Sequence, residues 1–287
     1  MANDFDNTAL NSTVRELWSE KIQEARYATA VIANRVSNES GIAQKKGDII
    51  HVTIDQRYTV GTVAADGSYT PQNYTLSTVD ITLNQHEQVV IRVLDRAQSQ
   101  AFWTPDSVFP TKVGEAFGAR YDAQLASLHS NVAAGNSVGS TTTPQDFDKS
   151  LFQEAMLRLA STNIPLEDLS WIVHPAAYYT GLTNEAQLTA AHDSGQPKNV
   201  LTTGYKFPLF GVPVYHSTNI VNTGTPAVYK NLLVHKSAMA IAWQRNVEID
   251  RARAFSAGVF ADLFGAQSLY GFQAIRTDHF VVANSKA

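Results

Sequence analysis

Between residues 108 and 132, large apolar side chains recur at steps of four, four, four, three and four: Val113, Phe117, Tyr121, Leu125, Leu128 and Val132. That is the repeat of one helix face, so the pattern predicts a single helix with these six side chains on one stripe. Ala116, Ala119, Ala123 and Ala126 line much of the other side, where small side chains admit a close neighbour. Thr104, Pro105, Asp106 and Ser107 carry turn and N-cap chemistry before the helix, and residues 133–139 (AAGNSVG) end it. At about 1.5 Å per residue such a helix is roughly 37 Å long and spans a domain. It is the predicted spine.

Other segments take their places around it. Thr13 and Glu16 make a capping box ahead of an apolar face of Val14, Trp18, Ile22 and Ala25. Residues 48–54 and 79–93 read as two long strands; in the second, Val79, Ile81 and Leu83 alternate with Asp80, Thr82 and Asn84. Residues 58–78 between them are rich in Thr, Gly, Ser and Tyr, turn at Asp66-Gly67, and lack the aliphatics for a core. The reading is a projecting β-arm, which a two-stranded ribbon sustains only by lying against something. Beyond the spine, Thr143 and Pro144 read as the start of a helix that buries Phe147, Leu151, Ala155 and Leu159 and stops at residues 163–165. Residues 169–174 form a short strand running into a helix start at Pro175, and residues 184–199 an edge loop. Residues 204–217 turn into a strand, and 222–225 turn again. Short strands follow at 231–234, 239–243 and 247–251, with a return through 272–282.

With 287 residues, 44% hydrophobic and 17% charged, the chain supports a sizeable core, in one elaborate domain or two interleaved ones. It has no cysteine, which excludes disulfides and thiolate chemistry and fits a reducing cytoplasm. No signal peptide is visible in MANDFDNTAL, and no apolar run approaches the ~18 residues of a membrane span. A net charge of −4 argues against tight sequence-independent binding of nucleic-acid phosphates.

Candidate chemistry is sparse. Residues 135–139 match G-x-S-x-G, but a nucleophile elbow needs a strand before Ser137 and a helix after it, and here a helix precedes it and a polar loop follows. The histidines (His51, His86, His129, His174, His192, His216, His235 and His279) have no metal-motif spacing. Gly114 and Gly118 form GxxxG, which outside a membrane reads as close packing. Arg245, Arg251 and Arg253 interleave with Glu248 and Asp250, a pattern read as ion pairing between subunits or as a solvated strand. The sequons at Asn11, Asn38 and Asn73 are chance matches if the protein is never secreted. No catalytic, cofactor-binding or metal-binding residue is assigned.

The order of parts carries a resemblance. ITLNQHEQVVIRVLDRAQSQA before the spine, the turn GYKFPLFGVPVYHSTNI, and VHKSAMAIAWQRNVEIDRARAFSAGVFADLFGAQSLYGFQAIR with its Tyr270-Gly271 pair resemble the major capsid proteins of tailed bacteriophages, closest in style to those of short-tailed phages. The resemblance covers about residues 18–282. It implies an α+β chain of the Hong Kong 97-like capsid fold: an N-terminal arm at 1–43, an extended β-arm (E-loop) at 44–92, a peripheral domain with the spine at 93–140, an axial domain at 141–245, and a return to the peripheral domain at 246–287. The implied function is self-assembly into hexamers and pentamers of an icosahedral shell around double-stranded DNA. The virion capsid would be assembled in the host bacterial cytoplasm, without a membrane. The implied partners are copies of itself, a portal, a separate scaffolding protein, since no segment for an internal scaffold is present, and packaged DNA contacted weakly and non-specifically. An encapsulin-type nanocompartment shell is the rival within the same fold, and a hydrolase built on Ser137 the rival outside it. Some relatives join subunits through an arm lysine; here residues 57–88 hold none, and Lys45 and Lys46 lie at the arm's base. Cohesion by non-covalent contacts alone is therefore expected.

Overall fold

The structure, a computed structural model, describes residues 30–43, 47–55, 58–100, 105–181, 211–225, 227–254 and 260–286. The expected helix after Thr13, the loop at 184–199, residues 204–210, His192 and the lysines at 45 and 46 lie outside the described residues.

The strands are β1 (Ser37–Asn38), β2 (Ile49–Ile54), β3 (Ser77–Thr82), β4 (Gln85–Leu94), β5 (Ser137–Val138), β6 (Leu169–Val173), β7 (Val214–His216), β8 (Asn222–Thr223), β9 (Val228–His235), β10 (Met239–Arg253), β11 (Ala261–Ala274) and β12 (Phe280–Ser285). The helices are α1 (Ser40–Ala43), α2 (Asp95–Gln100), α3 (Pro105–Ser127), α4 (Lys149–Ser161) and α5 (Pro175–Thr180). One sheet runs β1-β10-β11-β4; a second runs β5-β12-β9-β6-β7, with β8 on β9; β2 and β3 form a separate antiparallel pair.

The spine is α3, prolonged by a 3-10 turn at Leu128–Asn131. Its predicted stripe is the buried one, from Val113 to Leu128, with Val132 partly buried beyond it. Each sheet turns one face to this stripe. From the first sheet come Met239, Ile241, Phe264, Ala266 and Tyr270; from the second, Ile172, Leu232, Val234, Phe280 and Val282. Because side chains alternate across a strand, the residues between these face the other way. Trp171, Val173, Leu233, Val281 and Ala283 meet α4, where Trp171 sits between Phe147 and Phe152 at ring distances of 5.4 and 4.7 Å. Ala240 and Ala242 meet Ile50, Ile81 and Leu83 of the β2–β3 pair. Three apolar clusters thus share two sheets.

Several expectations are corrected. Residues 79–93 are two strands in two sheets: β3 pairs with β2, β4 with β11, and the chain crosses at Leu83 and Asn84. Burial alternates unbroken through that crossing, although the side chains at Gln85–Gln88 are all polar. Conversely, 239–243 and 247–251 are one strand, β10, whose register against β11 shifts between Trp243 and Arg245 and again before Glu248. Strand β11, which lies in the middle of the first sheet, was not expected over most of its length. Helix α4 begins at Lys149, capped by Asp148, whose side chain accepts from the Leu151 N–H at 2.9 Å. Thr143 and Pro144 belong instead to a polar turn in which Ser140 Oγ accepts from the N–H groups of Thr142 and Thr143. The four residues expected on the buried face of α4 are fully buried.

On the spine's other side, Asp122 is 1% exposed and accepts from the backbone N–H groups of Val31, Ile32 and Ala33 at 2.7, 2.9 and 3.0 Å. Burial pushes this carboxyl up, against the three donors that pull it down. Gly118 serves the same docking, because a Cβ there would lie 3.3 Å from the Ala30 nitrogen; Gly114 faces open space. The Arg35 guanidinium, 4.0 Å over the Tyr215 ring, ties the segment to β7. Replacing Asp122 by Ala strands buried donors, at a cost of about 1–3 kcal/mol. Urea unfolding should show that loss, and limited proteolysis should cut near residues 30–38 sooner than in the parent; unchanged values in both would refute this anchor.

Candidate assembly surface

The arm begins where the β2–β3 ladder stops, at the pair Ile54↔Ser77. Its base is fixed: Ile50 and Ile81 are buried on the underside of β10. Leu83 donates its N–H to the Asp48 carbonyl at 2.8 Å. Gly271 permits the contact with β11, since a Cβ there would collide with the Thr82 carbonyl oxygen. Beyond the base, residues 58–76 are exposed and, apart from the turn at the tip, irregular, and they form no ladder with each other. The two limbs touch through the stacked rings of Tyr58 and Tyr74, 6.3 Å apart, and through the Gln72 side chain, which bonds the N–H and C=O of Thr59. The tip turns at Asp66-Gly67, as expected. Gly67 takes φ +81°, its N–H reaches the Ala64 carbonyl at 2.8 Å, and Asp66 accepts from the Ser68 N–H and hydroxyl.

Tyr58, Val60, Val63, Tyr69, Tyr74 and Leu76 are all more than half exposed along this limb pair, and Val60 is wholly exposed. Apolar surface left in water forgoes about 25 cal/mol per Å² of burial. A second exposed series lies on β4 and its surroundings, at Val90, Ile91, Leu94, Ile249 and Phe260. Among the described residues, nothing covers the shaft of the arm, while its base is buried.

The arginine-rich strand behaves differently from expectation. Arg251 and Arg253 both bind Asp262, at 2.5 and 3.0 Å, and Arg253 also reaches Asp95 at 2.6 Å. These are ion pairs within one chain, drawn together because β10 and β11 lie side by side in register. Only Arg245–Glu248, at 3.8 Å and exposed on both sides, keeps the character of a solvated pair. The hydrogen bond from Arg251, then that from Arg253, hold the Asp262 carboxyl below its ordinary value against the effect of burial.

Ser137 lies on the two-residue β5, parallel to β12, between Gly135 and Gly139, both at positive φ. No helix follows it, and its Oγ accepts from Asn284 Nδ2 at 3.0 Å. The geometry is a strand clasp. Among the described histidines, His174 caps α5 by accepting from the Ala176 N–H, and His51 pairs across strands with Asp80. His235 and His279 share the Ser237 hydroxyl. Among the described residues no three His, Asp or Glu side chains converge as metal ligands would. No helix among them is long and apolar enough to cross a membrane.

No protein-family model matches the sequence, and no curated protein does. The fold, however, is shared with solved particles. A chain of Mycobacterium phage Che8 superposes with a TM-score of 0.78 at 23% identity, covering 98% of each chain. The capsid structure of cyanophage P-SCSP1u gives 0.77 at 13% identity, over 98% of this chain and 95% of that one. The capsid of a native GTA particle gives 0.72 at 15% identity over the whole of both. The α+β architecture expected from the sequence, the Hong Kong 97-like fold, is the architecture of this chain.

Two outcomes test these assignments. Ser137→Ala removes one of the acceptors around Asn284 Nδ2 and should lower unfolding stability by no more than about 1 kcal/mol; a hydrolase activity lost with that hydroxyl would restore the elbow reading. Asp262 contributes stability at neutral pH because its carboxylate is held charged, and this is lost as pH falls from its ordinary 3.8 through the lower folded value. Asp262→Asn should therefore melt earlier than the parent at pH 7, with the gap closing below pH 3.8. A gap that persisted in acid would mean that Asp262 acts by packing rather than by charge.

Proposed function

We propose that this chain is the major capsid protein of a tailed phage or a related particle, and that its copies assemble as hexamers and pentamers into an icosahedral shell around double-stranded DNA. The observation that carries the reading is the arm: a buried base, a shaft of exposed apolar side chains, and limbs with no ladder between them. Such an element is completed by a neighbour. The fold shared with capsid chains supplies the frame in which a neighbour is always present. In this reading residues 44–92 are the E-loop. The spine at 93–140 and the return at 246–287 form the peripheral domain, and 141–245 the axial domain. A scaffolding protein and a portal act during assembly in the bacterial host, and DNA is touched weakly by a chain of net charge −4. No catalysis is required of any residue.

Electron microscopy of the expressed protein, with its scaffold where one is encoded nearby, should show closed shells of uniform diameter. Deleting residues 60–73 tests the arm directly. The stacked Tyr58 and Tyr74 bring the cut ends close together, so the shortened chain closes without strain on the base. The expected product is a soluble subunit with a cooperative melt that forms no shells. A product without a cooperative melt would place the arm in the core, and one that still closes into shells would remove the arm from assembly.

A further inference from the structure

Helix α5 starts from a histidine. His174, at the end of β6, is its N-cap: the backbone there is extended, and the imidazole Nδ1 accepts from the Ala176 N–H at 3.1 Å. Caps are ordinarily Ser, Thr, Asp or Asn, whose oxygens go on accepting through the whole neutral range. A backbone N–H can only donate, so Nδ1 is without a proton here and the neutral ring carries its hydrogen on Nε2. An imidazolium has a hydrogen on both nitrogens and cannot make this bond. The cap exists in one protonation state alone.

The surroundings favour that state. The ring lies flat on Tyr229 of β9, with 4.1 Å between centroids and 16° between planes. The backbone N–H of His174 is held by Asn231 Oδ1 at 2.9 Å. Tyr229 is the titratable side chain on the ring, and Lys230, next to it on β9, is bonded to Asn284. On β7, His216 pairs beside Val173, and Tyr215 before it carries the Arg35 guanidinium at 4.0 Å. Helix α5 itself, PAAYYT, holds no charged residue. Among the described residues no carboxylate or cation acts on the imidazole; burial alone pushes it down from its ordinary 6.5.

What α5 holds is the end of the second sheet. Strand β7, three residues long, is the end strand there and pairs with β6. Tyr178 and Tyr179 of α5 meet the His216 ring of β7 at 4.3 and 5.6 Å. The far end of α5 is seated at Gly181, where a Cβ would collide with the Phe147 carbonyl oxygen. A helix of six residues is not stable by itself, so it depends on its cap, its tyrosines and that seat. We propose that α5 is an acid-released clamp on β7: protonation of His174 removes the cap, α5 frays from its start, and its tyrosines lift from His216 while the spine stays packed. The direction follows from linkage. Folding favours the neutral ring, so the clamp's contribution is complete above pH 6.5 and is lost as pH falls through the lower folded value. The device belongs to the single subunit and does not depend on the shell reading.

Hydrogen exchange of the full-length protein, read by mass spectrometry at about pH 7.5 and about pH 5 with times scaled for the intrinsic rate, tests the clamp. Peptides covering residues 175–181 should exchange about fivefold faster or more in acid, the scale of a lost helix cap. Peptides covering spine residues 113–125 should not change. His174→Asn supplies an accepting cap that does not titrate, and it should abolish the acid step. His174→Phe keeps a ring on Tyr229 without the acceptor, and residues 175–181 should then exchange fast at both pH values. A parent with no acid step at 175–181 would overturn the proposal, and so would a step that survives His174→Asn. An acid step equally large in the spine would also overturn it, because the opening would then be global.

Discussion

Everything in this chain depends on two sheets that have no wet face where they cross the core. Strands in the second sheet alternate between two apolar environments instead of between core and water. Leu232 and Val234 of β9 face the spine while Leu233 faces α4, and β12 divides Phe280 and Val282 from Val281 and Ala283 in the same way. A slip of one residue would exchange the two sets. Size alone barely resists that exchange, because both sets are apolar. Polar side chains set into the strands do. Asn231 donates to Ser285 Oγ at 2.8 Å and accepts from the His174 N–H at 2.9 Å. Lys230 donates to Asn284 Oδ1 at 2.8 Å, while Asn284 Nδ2 reaches the carbonyls of Val138 and Gly139. Burial pushes the Lys230 amine down. Each of these groups is costly to bury without its partner, so they select one register.

The first sheet is held to the spine by a comparable device at its edge. Glu87 on β4 receives Arg120 at 2.7 Å, the Tyr270 hydroxyl at 2.9 Å and Gln124 at 3.3 Å, joining two strands and the helix through one carboxylate. Burial alone would raise this carboxyl; the bonds from Arg120, Tyr270 and Gln124 together hold it down. Tyr121 fills the angle between Trp243 and Tyr270 and bonds Ser268 with its hydroxyl at 2.7 Å. The spine is thus keyed to the sheet in rotation as well as packed against it.

Periodicity made the helices legible, because a 3.6-residue stripe such as Val113 to Leu128 has one explanation. Their ends were less so: Thr143-Pro144 and Asp148 both satisfy the local chemistry of a cap, and only the packing of Phe147 ahead of α4 decides between them. Strands were harder. The alternation from Val79 to Asn84 runs straight into the polar start of β4 with no turn residue to mark the change of sheet, and the irregular register at residues 244–247 divides a continuous β10 into two apparent pieces. Much of β11 escaped notice because Gly265 and Gly271 interrupt its pattern, the second where Thr82 comes too close for a Cβ. Asp262, the shared partner of Arg251 and Arg253, lies eleven and nine positions on, on the neighbouring strand, and a sequence shows charge but not who stands opposite. For the arm, composition revealed a shaft without a core, but not that its limbs stay unzipped.

Strand β10 runs unbroken from the cluster under the arm's base at Ala240 to the ion pairs at Arg253. Its ladder with β11 follows that length on either side of the register shifts between Trp243 and Glu248. A pull along this axis loads the rungs in shear, all at once, so none yields until many do. The arm's limbs, which share no ladder, would part in sequence under a far smaller tension. The molecule is therefore mechanically graded: a stiff beam through its body and a compliant strap at its edge, so that a container swelling from within would stretch its straps before it bent its beams.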